Sequence, residues 1–131
     1  MLESARPVLI AFGLKVLGAV IAYIVGRMVF RQSNHEGELV DWVHEARDSA
    51  AGIVINPAGY SFTSVALLDA LKASELPVIE VHITNIHRRE AIYHKSLVSL
   101  AAVGVICGLG PIGYDLALAA MADLLQRKAA A

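Results

Sequence analysis

An α/β fold, with a parallel sheet and helices on both faces, is what this chain predicts, and three observations predict it. Short apolar runs such as Gly52-Ile53-Val54-Ile55-Asn56 and residues 78 to 83 carry too little polarity for a half-exposed sheet, and suit strands buried on both faces. Segments with apolar residues three and four positions apart separate those runs and read as helices. Strand, helix, strand at these lengths implies right-handed crossovers between parallel neighbours. The layout is flavodoxin-like, with no internal repeat, linker or low-complexity tract apart from the alanine-rich end.

Taken in order, residues 8 to 29 come first, apolar except for Lys15 and Arg27, with glycines at 13, 18 and 26. At 1.5 Å per helical residue the run just reaches across a hydrocarbon core of roughly 30 Å, with Lys15 in the middle, where a charge is costly. Four readings compete: a membrane span with Arg27 and Arg31 on the cytoplasmic side, a signal peptide without a clear cleavage site, a buried or oligomer-forming helix, and a segment misjoined to the gene. Gly18, Ala22 and Gly26 recur every four positions and permit close helix packing, while residues 20 to 25 are also β-competent. Residues 1–29 thus stand apart as an apolar segment from an α/β domain over 30–131.

After Phe30 the alternation is regular. Ser33 and Glu36 have the spacing of a capping box, and Leu39, Val43, Ala46 and Ala50 form a helical stripe, predicting a helix over 36 to 49. A strand follows over 52 to 56. Pro57-Ala58-Gly59 then turns the chain toward a helix capped near Thr63 or Ser64, with Val65, Leu68 and Leu71 as its buried stripe. Leu76-Pro77 leads into a strand over 78 to 83, a polar loop leads to a strand over 102 to 107, and a last helix covers 112 to 127.

Composition excludes several function classes. The 131 residues suit one compact domain. A formal charge of −1 and a pI near 6.5 advertise no basic face for nucleic acid, and Trp42 and the four tyrosines lack basic interleaving. The single cysteine, Cys107, excludes an internal disulfide framework, fits a reducing compartment and reads as a small core residue. His82, His87 and His94 match no metal-ligand spacing, so no metal site is expected. Residues 108 to 113 spell G-x-G-x-x-G, but no strand with an acidic residue follows, so the glycines serve backbone turns rather than a dinucleotide.

Ligands of a parallel sheet bind beyond the carboxyl ends of its strands. That rule places Asn56, His82, Thr84, Asn85 and the Gly108 to Gly113 turn on one rim, with Arg88 or Arg89 available for a carboxylate. His82 is the natural acid or base, the alternative being a satisfied strand-end histidine.

Three stretches carry a resemblance to a known family: residues 78 to 90 (Val-Ile-Glu-Val-His-Ile-Thr-Asn-Ile-His-Arg-Arg-Glu), residues 30 to 37 (Phe-Arg-Gln-Ser-Asn-His-Glu-Gly) and residues 56 to 60 (Asn-Pro-Ala-Gly-Tyr). The chain resembles type II 3-dehydroquinate dehydratase over residues 30–126. The resemblance implies a cofactor-free lyase of the shikimate pathway, cytoplasmic, converting 3-dehydroquinate to 3-dehydroshikimate through an enolate, and a homo-oligomer, trimer or dodecamer. It implies His82 as general acid, Asn56 as the residue that binds substrate and orients that histidine, and Glu80 as support for His82. Ile83 and Thr84 would hold the substrate carboxylate, Arg89 would order the site, and Asp69 would reach a neighbouring subunit's site. Phe62 stands where the family often has a histidine, and Tyr93 where it often has an arginine. The family's opening strand, first helix and Arg/Tyr loop are not readable before Phe30, so the first strand and helix are expected to be lacking or replaced. Tyr23 and Arg27 are not assigned the loop's roles. The alternative is a non-catalytic assembly or binding module, tethered to a membrane through residues 8–29.

Overall fold

The structure, a computed structural model, describes residues 8–12 as backbone and residues 28–131 in full. Five parallel strands form one sheet in the order β2-β1-β3-β4-β5: β1 (Val8–Phe12), β2 (Val29–Gln32), β3 (Gly52–Asn56), β4 (Val78–His82) and β5 (Gly104–Cys107). This is the doubly wound 2-1-3-4-5 arrangement, whose order reverses between β1 and β3. The helices are α1 (Glu36–Ser49), α2 (Val65–Ser74) and α3 (Ile112–Ala130).

The opening strand corrects the helical readings of 8 to 29 at its first five residues. Val8–Phe12 lies between β2 and β3, with Leu9 opposite Val29 and Phe12 opposite both Gln32 and Asn56. A helix there would have left the facing N–H and C=O groups of β2 and β3 without ladder partners, at roughly 1–3 kcal/mol for each buried group. A replacement strand therefore supplies what the sheet requires. The division between 29 and 30 falls inside β2, and the sheet draws β1 from the N-terminal side of it. The β-competent residues 20 to 25, Lys15 and the Gly18-Ala22-Gly26 pattern lie outside the described residues. Among the described residues no helix is long and apolar enough to cross a membrane.

Alternation along the central strands divides the core into two layers. Ile53, Ile55 and Val78 face α1 and α2, meeting Leu39, Val43, Ala46, Leu67 and Leu71. Val54, Ile79 and Val81 face α3, meeting Tyr114, Ala117 and Met121. Each fully buried Leu, Ile or Val in these layers contributes about 1.5–3 kcal/mol of transfer free energy. Outside the core, β2 is fastened to α1 by a bidentate pair: Arg31 Nη1 and Nη2 donate to Glu45 Oε2 and Oε1 at 2.5 and 2.7 Å.

Local chemistry explains where helices begin. Ser64 caps α2, its Oγ accepting from the Leu67 N–H at 2.9 Å. Val65, expected in the buried stripe of α2, is 58% exposed instead, and Leu67, Leu68, Ala70 and Leu71 are buried. The helix is rotated so that both 67 and 71 meet α1 and the sheet. The expected capping box does not form. His35 is the residue before α1, and Ser33 donates to the Glu38 carboxylate instead of receiving the helix's N–H groups.

The last strand is shorter than expected and lies at the sheet's edge. Among the described residues only β4 flanks it, and Val105 is exposed and Cys107 half-buried rather than sealed in the core. The glycines after it form close turns, as expected. Gly108 has φ +89°, and a Cβ on it would meet the Asn85 Cβ at 2.9 Å; a Cβ at Gly113 would press on Val81 at 3.3 Å. Gly108 N–H and Gly110 N–H donate to the carbonyls of His82 and Ile83 at 3.2 and 3.0 Å, tying this turn to the end of β4.

Candidate active site

Because β4 has a two-residue period, Glu80 and His82 emerge on the same face, toward α1 and α2. Glu80 is fully buried and His82 is 5% exposed. A buried carboxylate is costly unless every oxygen finds a partner. The segment from 95 to 100 supplies them: Ser96 Oγ donates to Glu80 Oε1 and Ser99 Oγ donates to Glu80 Oε2. Ser99 lies in a 3-10 turn over Val98–Leu100, and its N–H donates to the Ser96 Oγ at 3.4 Å, which keeps the two serines together. Sequence reasoning treated this stretch as a polar loop and missed both serines. The Ser-x-x-Ser spacing was the one available signal.

His82 Nε2 lies 3.2 Å from Glu80 Oε1, at ion-pair distance but without the alignment of a hydrogen bond. Burial pushes the Glu80 carboxyl up, but His82 and the two serine hydroxyls outweigh it and hold Glu80 below the ordinary carboxylate range. The site thus holds a buried anion directly beneath an imidazole.

Phe62 stacks on His82, ring centroids 5.9 Å apart and planes 27° apart. Tyr93 meets Phe62 edge-on at 5.3 Å and 85°. The Arg89 guanidinium lies 3.7 Å above the Tyr93 ring, and the Arg89 carbonyl is 2.6 Å from His94 Nε2. The two positions where the chain departs from the family pattern, 62 and 93, therefore touch each other and link His82 to Arg89.

Asn56 turns the other way. Its parity with Val54 carries it to the α3 face, where Nδ2 donates to the Tyr114 hydroxyl at 2.7 Å and Oδ1 accepts from the Ala58 N–H at 3.1 Å. The orienting contact expected between Asn56 and His82 is not among its hydrogen bonds. Burial pushes the Tyr114 hydroxyl up, with the Asn56 bond opposing. Ile83 is half-buried and Thr84 exposed, both just beyond the end of β4. Asp69 lies on the solvent face of α2, without a salt bridge among the described residues. His87 and His94 stand 6.4 Å apart by ring centroids, and among the described residues no three His, Cys, Asp or Glu gather as a metal site. Tyr23 and Arg27 lie outside the described residues.

In chemical terms, the rim offers one buried, braced imidazole, a nearby guanidinium and short polar groups at the strand ends. This suits proton transfer on a small anionic molecule.

Comparison with known proteins bears on the family and the fold. The model of the family described as dehydroquinase class II matches residues 17–122, beginning ahead of Phe30. The chain is 64% identical over 101 residues to 3-dehydroquinate dehydratase 2 of Pseudomonas putida, covering 77% of this chain and 68% of the relative. It is 63% identical over 95 residues to 3-dehydroquinate dehydratase 1 of Agrobacterium fabrum, covering 72% and 66%. Among solved structures, a type II dehydroquinase from Propionibacterium acnes superimposes with a TM-score of 0.70 at 44% identity, covering 73% of this chain and 71% of that one. A type II dehydroquinase from Butyrivibrio crossotus gives 0.77 at 30% identity, over 91% and 99%.

Proposed function

Since the chain belongs to the class II dehydroquinase family, we propose that it acts as a 3-dehydroquinate dehydratase, a hydro-lyase with His82 as its general acid. The observation that carries the reading is the buried Glu80 beneath His82, with both carboxylate oxygens engaged by Ser96 and Ser99.

A ketone acidifies the adjacent C–H, so the elimination needs a base, stabilisation of the enolate and an acid for the leaving group. A base takes the proton next to the carbonyl, and the electron pair moves onto the ketone oxygen as an enolate. Collapse of the enolate forms the carbon–carbon double bond and breaks the bond to the hydroxyl. That hydroxyl leaves as water after taking the proton of His82. With Nε2 turned to Glu80, Nδ1 is the nitrogen left to deliver it. Glu80, 3.2 Å from Nε2, fixes the ring, in the manner of a carboxylate that orients a catalytic histidine.

Ile83 and Thr84 beyond β4 form the proposed seat for the substrate carboxylate, with the Arg89 guanidinium, held over Tyr93, as its proposed counter-charge and Asn56 as the proposed contact for the ring's oxygens. Asp69, exposed on α2, is the proposed contact to a neighbouring copy's site in a homo-oligomer, a trimer or dodecamer. A biosynthetic enzyme with one cysteine and no disulfide framework suits the cytoplasm.

The test is dehydration of 3-dehydroquinate by the purified chain, followed as the rise in ultraviolet absorbance of the conjugated enone. Turnover is expected, falling by about 10²–10⁴ in His82→Ala, the range of a lost general acid. Absence of turnover in a folded wild-type sample would replace this reading with that of a binding or assembly module.

A further inference from the structure

Four side chains form a continuous relay: His82 on Phe62, Phe62 on the edge of Tyr93, and Arg89 over Tyr93. Resting on the proposed dehydratase reading, we propose that Phe62 and Tyr93 are positioning residues, Phe62 for the imidazole of His82 and Tyr93 for the guanidinium of Arg89.

The geometry gives each ring a distinct task. A stacked phenyl at 27° allows the imidazole few orientations, because rotation about its own bond would drive the ring edge into Phe62. His82 already has Glu80 on its Nε2 side, so Phe62 supplies the second constraint that defines a plane. Arg89 is an exposed side chain with several rotatable bonds, and among the described residues it has no salt bridge. Its face rests on Tyr93 at 3.7 Å, which leaves the N–H groups around its edge free to meet a carboxylate two at a time. The backbone beneath it is held as well, through the contact of its carbonyl with His94 at 2.6 Å. Holding the guanidinium before the ligand arrives removes rotamer entropy that binding would otherwise have to overcome. Tyr93 itself is fixed by the edge contact to Phe62, so disturbing one ring reaches both charged groups.

The two tasks separate in kinetics. A misaligned acid lowers kcat, whereas a wandering guanidinium weakens binding and raises KM. Four full-length variants test this: Phe62→Leu and Tyr93→Leu remove a ring, and Phe62→Tyr and Tyr93→Phe keep it. Tyr93→Leu is expected to raise KM for 3-dehydroquinate about fivefold with little change in kcat, the scale of an exposed cation–π contact. Phe62→Leu is expected to lower kcat about tenfold at nearly constant KM. The ring-keeping variants should recover most of each loss. Leucine variants indistinguishable from the ring-keeping ones, or a Tyr93→Leu effect confined to kcat, would overturn the proposal.

A second readout does not depend on turnover. In nuclear magnetic resonance spectra the Arg89 Nε–H signal should be displaced by the Tyr93 ring current in the wild type and in Tyr93→Phe. In Tyr93→Leu it should return to the position of a free arginine. A signal unmoved by Tyr93→Leu sinks the relay even in an active enzyme. An inactive wild type with the expected Arg89 shift sinks the dehydratase reading and leaves the relay standing.

Discussion

The two faces of strands β3 and β4 solve the same problem in different ways. Toward α1 and α2, Glu80 buries a charge and needs His82, Ser96 and Ser99 around it. Toward α3, Asn56 buries a neutral amide and is satisfied by Tyr114 and one backbone N–H. The difference teaches how much structure a buried charge recruits: two serines from a separate turn on one face, a single helix residue on the other. Desolvation makes an unpaired carboxylate far costlier than an unpaired amide, and the extra partners follow from that.

Breaking the charged face should therefore have the largest effect. Glu80→Leu leaves two serine hydroxyls without their acceptor and His82 without its ion-pair neighbour, and a loss of about 3–5 kcal/mol is expected as a lower urea midpoint at unchanged slope. A loss below that of Asn56→Leu would invert the comparison.

Acid sharpens it. Glu80 titrates below its ordinary 4.5 in the folded chain, so its contribution is fully present above that value and disappears as pH falls through the native one. The stability deficit of Glu80→Gln at neutral pH should accordingly shrink only below 4.5, seen in denaturation curves taken across the acid range. A deficit that stays constant in acid would mean that Glu80 acts through shape alone.

Ser96→Ala or Ser99→Ala should each cost about 1.5–3 kcal/mol, the usual range for a hydrogen bond to a charged group. The double variant should depart from the sum, because both hydroxyls serve one carboxylate. Differential scanning calorimetry on the four proteins measures the coupling.

The smallest effect belongs to the neutral face. Asn56→Leu should cost about 1–2 kcal/mol, and adding Tyr114→Phe should return part of it, since an apolar pair leaves nothing unsatisfied. No recovery in the double variant would show that the Asn56–Tyr114 bond is not what the single substitution broke.

Much of this arrangement was legible residue by residue. The bounds of α1 and β3 follow from apolar periodicity and the glycine that opens β3, and the start of α2 from capping chemistry at Thr63 or Ser64, of which the structure uses Ser64. His82 and Glu80 share a face through strand alternation alone. Other features were not legible. Ser33 and Glu36 have capping-box spacing, yet the competing Glu38 carboxylate takes the Ser33 hydroxyl. Val65 fits a helical stripe by position, but the helix's rotation against α1 leaves it exposed. An apolar run such as residues 8 to 29 does not distinguish helix from strand, and only the pairing demands of β2 and β3 select a strand at Val8–Phe12.

By itself, then, the sequence determined the α/β class, the alternation of elements and the family, because these rest on local periodicity and on motifs contiguous in the chain. Tertiary structure alone decided which partners meet across long separations: Ser96 and Ser99 with Glu80, Tyr114 with Asn56, Phe62 with both His82 and Tyr93. Those contacts depend on how the turns after β4 fold back onto the sheet. That path is set by the collective need to satisfy buried polar groups and fill space, which no local pattern encodes.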